Sequence, residues 1–300
     1  MASQWLSLPT IPSDKQIPEG YVHNGLIYVV GHASSDTSYV PSVEVFNPAT
    51  NAWLPGPYAY AELDGGWEIH ATGVGGAIYC FTTRTYKYDI AANTWTNLNV
   101  DGNLEFNFGA YCAVGTDIYC FAGSVVKKFN TLTNTYTTLG AWAGAREGAA
   151  ARYNPADGLV YIGGGNHDTD SPSGNRSLQS YNPSTGVFTQ LAYSPHGHED
   201  VSGEILGGKF YLLGGGGYFG ANDPRNNDGT LVDVYDIAAG TWSQGGFSAH
   251  SHTERLGSAL LNGRIYVFGG EGTPWPASKR AAQVYVETAE TGWQVGGVAL

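Results

Sequence analysis

The sequence has little charge and no basic cluster. Only 13% of its 300 residues are charged, and 26 acidic residues against 14 lysines and arginines give a net charge of −12. A surface that follows the phosphates of a nucleic acid needs the opposite sign, so we expect no nucleic-acid partner. No apolar run approaches the roughly 18 residues of a membrane span, and the first residues lack the basic start and apolar stretch of a signal peptide. We therefore expect no membrane partner.

Cysteine is also scarce. Cys80, Cys112 and Cys120 are an odd number of cysteines in a chain without a visible signal peptide. This favours free thiols in a reducing compartment, so we expect a cytoplasmic location. The glycine runs are not followed by a helix, as a phosphate-binding loop would be, and no other cofactor motif is visible. We therefore expect no cofactor.

Glycine and tyrosine, in contrast, are abundant, with 43 and 20 copies. Many glycines, many aromatic residues and few charges are typical of short strands joined by tight turns. The apolar fraction of 42% is sufficient for a substantial core. These proportions favour an all-β protein.

A phrase made of a tight turn followed by apolar–Tyr–apolar recurs six times, as in "NGLIYVVG" at 24–31 and "NGRIYVFGG" at 262–270. Its tyrosines are Tyr28, Tyr79, Tyr119, Tyr161, Tyr211 and Tyr266. A second phrase follows each copy and carries two aromatic residues, seven positions apart in five copies and eight in the last. These pairs are Phe46/Trp53, Tyr88/Trp95, Phe129/Tyr136, Tyr181/Phe188, Tyr235/Trp242 and Tyr285/Trp293. Each unit thus predicts four short strands, A to D from the inside outward.

The glycine-ended strand, the "YD" or "YN" strand and the tryptophan seven residues later closely resemble the Kelch repeat, from about residue 20 to 294. The resemblance implies a six-bladed β-propeller of four-stranded antiparallel blades, because sheets of this size bury their faces only by packing around an axis. We expect one domain, 1–300, with blades that start near 15, 64, 103, 144, 196 and 250. The "QWLSLP" segment at 4–9 looks like a strand D without its own blade, which we expect to join the last blade. Because propeller edges are short and protected, we expect a monomer.

One face of this ring carries long connections between strands B and C in blades 4, 5, 6 and 1, which are neighbours. The phrases "SPHGHED" at 194–200 and "SAHSHTER" at 248–255 fall on the same face, at the starts of two adjacent A strands. We therefore predict a pocket at this mouth. The candidate catalytic residues are His198, His252, His70 and Arg146. The candidate substrate-binding residues are Trp67, Glu68, Glu105, Asn107, Phe108, Glu147, Glu199 and Glu254.

Three functions are compatible with these residues. The first, which we favour, is the binding of a small molecule, with acid–base chemistry of a lyase, isomerase or cyclase type, because histidine beside a carboxylate titrates near neutrality. The second is a protein-interaction module that uses the long B–C loops. The third is a zinc or iron enzyme, because imidazole with carboxylate suits these metals. Its ligands would be His196, His198, His250 and His252.

Overall fold

The computed structural model describes residues 3–32, 41–56, 69–82, 84–100, 109–142, 144, 146–166, 176–217, 227–247, 256–270, 280–287, 294–295 and 298–299. Twenty-eight strands lie in these segments. The first fourteen are β1 (Ser3–Ser7), β2 (Gln16–His23), β3 (Leu26–His32), β4 (Pro41–Asn47), β5 (Ala52–Trp53), β6 (His70–Val74), β7 (Ala77–Phe81), β8 (Thr85–Asp89), β9 (Thr94–Asn97), β10 (Ala110–Val114), β11 (Asp117–Ala122), β12 (Val125–Asn130), β13 (Thr135–Ala141) and β14 (Glu147–Asn154). The others are β15 (Leu159–Asn166), β16 (Leu178–Asn182), β17 (Val187–Gln190), β18 (Ser202–Leu206), β19 (Lys209–Leu213), β20 (Gly216–Gly217), β21 (Asn227–Asp228), β22 (Leu231–Asp236), β23 (Thr241–Phe247), β24 (Gly257–Leu261), β25 (Arg264–Phe268), β26 (Ala282–Glu287), β27 (Gln294–Val295) and β28 (Val298–Ala299).

Six four-stranded antiparallel sheets form the six predicted blades. Blades 1 to 5 have the strand orders β2-β3-β4-β5, β6-β7-β8-β9, β10-β11-β12-β13, β14-β15-β16-β17 and β18-β19-β22-β23. Each A strand lies against the A strands of the two neighbouring blades, so that β2, β6, β10, β14, β18 and β24 make a closed ring around the axis. The six-bladed all-β architecture is confirmed. The predicted blade starts near 64, 103 and 250 lie outside the described residues.

The last blade is completed by the start of the chain. Its order is β24-β25-β26-β1, and β1 is its outermost strand, which confirms the predicted position of "QWLSLP". Trp5 lies opposite Tyr285 in the register, with ring centroids 5.3 Å apart. Pairing of Tyr285 with Trp293 was therefore wrong, because Trp5 takes the position that the second aromatic holds in the other blades. Trp293 itself lies outside the described residues.

The recurring aromatic pairs are cross-strand neighbours in strands C and D. Phe46 faces Trp53 and Tyr235 faces Trp242, with ring centroids 5.1 and 5.2 Å apart. Directly opposed aromatic residues are a main source of sheet stabilisation. The turn between strands A and B depends on positive φ, as at Asn24 (49°) and Gly25 (75°), which is the two-residue hairpin that "NG" favours.

The hydrophobic core is divided into six clusters, and each lies between two neighbouring blades. One cluster joins Ile27 and Phe46 of blade 1 to Phe268 and Val284 of blade 6, and all four side chains are fully buried. The other five clusters join the remaining pairs of neighbours. Because the core lies between blades rather than on the axis, the axis is left for a channel. Within the described segments, no helix is long and apolar enough to cross a membrane.

Candidate functional site

The predicted site residues fall into two sets. Trp67, Glu68, Glu105, Asn107, Phe108, His250, His252 and Glu254 lie outside the described residues. The structure describes His70, Arg146, Glu147, His196, His198 and Glu199. In the described part of the chain, no three or more His, Cys, Asp or Glu side chains are arranged to hold a metal ion.

His198 is fully buried in blade 5 and has an acceptor at each ring nitrogen. Nδ1 lies 2.7 Å from the carbonyl oxygen of Gly214, and Nε2 lies 3.1 Å from Oδ2 of Asp233 on β22. A carbonyl and a carboxylate accept hydrogen bonds but do not donate them, so both ring nitrogens of His198 face hydrogen-bond acceptors. The ring is therefore held between the Gly214 carbonyl and the buried carboxylate of Asp233.

His196 binds the same carboxylate. Its backbone N–H donates to Oδ2 of Asp233 over 3.0 Å, and its Nδ1 lies 3.0 Å from Oδ1. Burial raises the pKa of Asp233, but hydrogen bonds and charges from His198 and His196 outweigh burial and lower this pKa below its usual value. Asp233 is thus ionised and held by both histidines. Neither histidine lines the channel cavities described below.

Arg146 is likewise held by hydrogen bonds, in its case to residues of blade 4. Nε donates to the carbonyl oxygen of Gly164 over 2.6 Å, and Nη2 donates to that of Ile162 over 2.9 Å. Nη1 donates to the carbonyl oxygen of Gly144 and to Oε1 of Gln179, over 3.0 and 3.1 Å. Burial lowers the pKa of Arg146 to about 10. Four of its N–H groups are therefore bound by protein acceptors.

Lys15 plays the equivalent part in blade 1. Its side chain is fully buried, and Nζ hydrogen-bonds to Ser42 Oγ and, over 3.0 Å, to Ser13 Oγ. Nζ also lies 3.9 Å from the carboxylate of Glu44 on β4. Burial lowers the pKa of Lys15 to about 8, against the raising effects of Glu44 and Asp14.

Lys15, Arg146 and His198, which we call the bracing residues, share one position in the repeat. Each follows the strand D aromatic residue of the preceding blade by ten positions; these aromatics are Trp5, Tyr136 and Phe188. Each also lies against a polar residue two positions before the strand C aromatic; these partners are Glu44, Gln179 and Asp233. His252 follows Trp242 by the same ten positions in the sequence. The position recurs as part of the scaffold.

The backbone at this position explains the paired glycines of the repeat. The N–H of Gly165 donates to the carbonyl oxygen of His198 over 2.7 Å, and that of Gly270 donates to the carbonyl oxygen of Lys15 over 3.4 Å. A Cβ atom at Gly164 would lie 2.5 Å from the His198 oxygen. The glycines therefore allow one blade to cross closely over the preceding blade.

The remaining predicted carboxylates lie near this crossing. Glu147 begins β14 opposite Asn166, and Glu199 pairs through its backbone with Gly216. The side chain of Glu199 accepts a hydrogen bond from Asn166 Nδ2 over 2.5 Å. Neither side chain is among the residues that line the channel cavities.

His70, in contrast, lies at the channel. It begins β6 and is partly exposed, and its ring stacks on Tyr111 of β10 with centroids 5.1 Å apart. Both side chains line a cavity of about 50 Å³ on the axis, together with Glu19 and Arg152. A larger cavity of about 310 Å³ adjoins it and also contains Glu204. We call Glu19, His70, Arg152 and Glu204 the channel residues.

Arg152 and Glu204 form an ion pair between blades 4 and 5. Arg152 Nη2 lies 3.3 Å from Glu204 Oε1, and Ser258 of blade 6 donates to the same oxygen over 2.7 Å. Nη2 also donates to Ser258 Oγ over 3.2 Å. Burial lowers the pKa of Arg152, but the charges of Glu204 and Glu19 outweigh burial and raise it. The arginine is therefore held as a cation on the axis.

Glu19 of blade 1 differs from Arg152 and Glu204 in its lack of an ion-pair partner among the described residues. Burial raises the pKa of its carboxyl, and the charges of Arg152 and His70 oppose this shift without cancelling it. Among the described residues, no hydrogen bond or ion pair holds the carboxyl. It lines both cavities, and none of the described residues uses its capacity to accept hydrogen bonds.

The sequence contained a signal for these residues. Glu19 lies opposite Val30 and His70 lies opposite Phe81, which are equivalent positions in adjacent blades. Arg152 and Glu204 are likewise equivalent, because they lie opposite Tyr161 and Tyr211. When the blades are aligned on their strand B tyrosines, and the longer A–B turn of blade 4 is taken into account, Glu19 falls beside His70 and Arg152 falls beside Glu204.

No protein-family model matches the chain. It is similar to the F-box/kelch-repeat proteins At4g39550 and At4g39570 of Arabidopsis thaliana, each 26% identical, over 45% and 41% of this chain. The matches cover only 34% and 31% of those proteins. Among solved structures, "Structure of YjhT" superimposes with a TM-score of 0.72 at 14% identity and covers 92% of this chain and 95% of that one. The resemblance to Kelch repeats is confirmed: the chain is a Kelch-type six-bladed β-propeller.

Proposed function

We propose that this protein binds a small organic molecule in its central channel. The observation that carries the proposal is the convergence of four ionisable side chains, from blades 1, 2, 4 and 5, on two adjoining axial cavities, both of which are lined by Glu19 and Arg152. Charged groups are costly to bury, and the hydrophobic clusters between the blades do not need them. The site differs from the predicted one, which lay among the rim histidines.

The size and lining of the cavity suit a ligand of one or two rings. Its volume of about 310 Å³ lies in the range of small-molecule sites. Tyr21, Tyr111 and Tyr153 contribute aromatic rings to the wall. Arg152 uses only three of its five N–H groups on described acceptors, Ala151, Glu204 and Ser258, so two remain for a ligand.

The same residues are equipped for proton transfer without a cofactor. Burial raises the pKa of Glu19 above its usual value, so its carboxyl holds a proton more readily than an exposed carboxylate and is suited to general acid–base catalysis. His70 lies on the adjacent A strand at the equivalent position, and an imidazole can donate or accept a proton. We therefore favour an enzyme of lyase, isomerase or cyclase type, in which Glu19 and His70 exchange protons with the substrate. We place it in the cytoplasm as a monomer.

Protein binding is the second candidate. The outer surface carries exposed apolar side chains, with Leu132 76% and Val187 56% exposed. Both lie in the outer parts of neighbouring blades 3 and 4, away from the channel. The names of the Arabidopsis relatives combine Kelch repeats with an F-box, and a partner-binding role is equally compatible with the fold.

A thermal-shift screen of small organic compounds, with Glu19→Gln beside the wild type, tests the proposal. Glu199→Gln is the matched control, because this rim carboxylate does not line the cavities. We expect a class of compounds to stabilise the wild type and the control but not Glu19→Gln. Failure of every compound to stabilise the wild type would contradict the proposal. A ligand that binds Glu19→Gln normally but fails with Glu199→Gln would return the site to the rim.

A further inference from the structure

We propose that the channel ligand is a small organic cation, a ring-bearing primary amine whose ammonium group binds the carboxylate of Glu19. This inference rests on the proposed function and names the chemical class of its ligand. It follows from the charges that the channel already contains.

Among the described residues, an anionic ligand finds no unbalanced arginine or lysine charge in the channel. Arg152 is already neutralised by Glu204 at 3.3 Å, and Ser258 fixes the same carboxylate oxygen. Adding an anion to this pair would bury an excess negative charge, which is costly without a counter-ion. The net charge of −12 on the whole chain also repels anions and attracts cations.

Glu19 is the group that lacks a counter-ion in contact with it. Its carboxyl has no hydrogen-bond or ion-pair partner among the described residues, and burial holds its pKa above the usual value. An ammonium ion would supply both the missing charge and up to three N–H donors. The uncommitted carboxyl is thus complementary to an amine in charge and in hydrogen bonding.

The surrounding rings also favour a cation. Tyr21 lies two residues after Glu19 on β2, so both side chains lie on the same face of the strand. Tyr111 and Tyr153 line the same cavity. The face of an aromatic ring attracts a nearby ammonium ion, and the rings accommodate the apolar part of the ligand.

Binding of an amine should release a proton. The groups that face Glu19 are His70 on β6, Arg152 on β14 and Glu204 on β18, with Tyr111 and Cys112 on β10. When an ammonium ion binds, the carboxyl of Glu19 ionises and its proton passes to the buffer. Below the pKa of the free carboxyl, affinity should therefore fall as the pH falls.

Calorimetric titration with benzylamine, benzyl alcohol and benzoate tests the inference, since these ligands differ only in the polar group on one ring. Titrations in two buffers of different ionisation enthalpy measure the proton released. We expect benzylamine to bind at least tenfold more tightly than the other two and to release up to one proton. Glu19→Gln should lose that preference, while Glu199→Gln should keep it.

The outcomes separate this inference from the proposed function. If benzyl alcohol or benzoate binds as well as benzylamine, or if Glu19→Gln keeps the preference for the amine, the cation inference is wrong and the channel remains a binding site. If none of the three binds and the wider screen also finds no ligand, both proposals fail. The wild-type comparison of the three ligands decides the class even if Glu19→Gln does not fold.

Discussion

The bracing residues and the channel residues are all ionisable; the bracing residues are buried, whereas the channel residues are only partly buried except for Glu204, and the hydrogen bonds of the two sets differ. His198 has an acceptor at both ring nitrogens, and Arg146 uses four N–H groups, all on protein acceptors. Among the described residues, Glu19 in the channel has no such partner, and two of the N–H groups of Arg152 have no acceptor. A polar group that is fully satisfied at a repeated position serves the scaffold. One that stays available beside a cavity is suited to a ligand.

The largest expected effect is on the stability of His198→Ala. Removing the imidazole ring leaves the buried carboxylate of Asp233 with only His196, and breaking a buried pair in this way costs about 3–5 kcal/mol. Urea unfolding of the variant and the wild type measures this loss of free energy of unfolding. If His198 were instead catalytic, as the sequence predicts, this variant would lose ligand binding or turnover and keep its stability. If the variant keeps its stability but loses ligand binding, His198 is a residue of the binding site and not a structural residue.

Alanine at Gly164 tests the crossing of the blades. The residue has a φ of 69°, and its Cβ would lie 2.5 Å from the carbonyl oxygen of His198. Gly186→Ala is the matched control, with a φ of 73° and no atom within 4 Å. The left-handed backbone costs each variant about 1–2 kcal/mol, and the clash should make Gly164→Ala the less stable by a clear margin in urea unfolding. Equal losses would contradict the close crossing.

Lys15 should make the stability of the scaffold depend on alkaline pH. Burial lowers its pKa from 10.5 to about 8, so the unfolded chain binds the proton more tightly than the folded protein. Stability attributable to this residue should therefore rise between about pH 8 and 10.5, by about 3 kcal/mol in total.

Unfolding free energies of the wild type and Lys15→Met across this range measure the effect. The difference between them should change in favour of the wild type as the pH rises. Parallel curves would show that the lysine is not held in the buried environment that the structure gives it.

A smaller difference is expected among the cysteines. All three are buried and unpaired, but Cys112 lines the larger channel cavity, whereas Cys80 and Cys120 pack between blades. Burial raises the pKa of Cys112 to about 12, so every thiol should react slowly in the native protein. A small neutral thiol reagent followed by mass spectrometry should label Cys112 first. Labelling of Cys80 or Cys120 before Cys112 would contradict a channel that small molecules can enter.

The fold could be predicted almost completely from the sequence because each blade repeats the same local phrases. The N-terminal strand was placed correctly from "QWLSLP" alone. Pairing of Tyr285 with Trp293 failed because its real partner, Trp5, is distant in sequence. Sequence spacing identifies partners that are close in the chain. It does not show that a strand from the start of the chain pairs with the last blade.

The candidate site was harder to predict because it depends on contacts between strands. The histidine phrase drew attention to His196 and His198, but their common partner Asp233 lies 35 residues beyond His198 and was not recognised. Arg152 and Glu204 were missed because blade 4 has a longer A–B turn, so their distances from the strand B tyrosines differ by two residues. The histidines and carboxylates at the rim were visible in the sequence. The convergence of the channel residues on the axis could be recognised only from the strand register of the structure.

The central claim is that the channel residues bind the ligand and the bracing residues hold the blades. It is tested most directly by dissociation constants of the strongest screened ligand for wild type, Glu19→Gln and His198→Ala, measured by calorimetry at a temperature where all three are folded. We expect Glu19→Gln to bind at least tenfold more weakly than the wild type, and His198→Ala to bind within about twofold of it despite its lower stability. Normal binding by Glu19→Gln together with loss of binding by His198→Ala would contradict the claim.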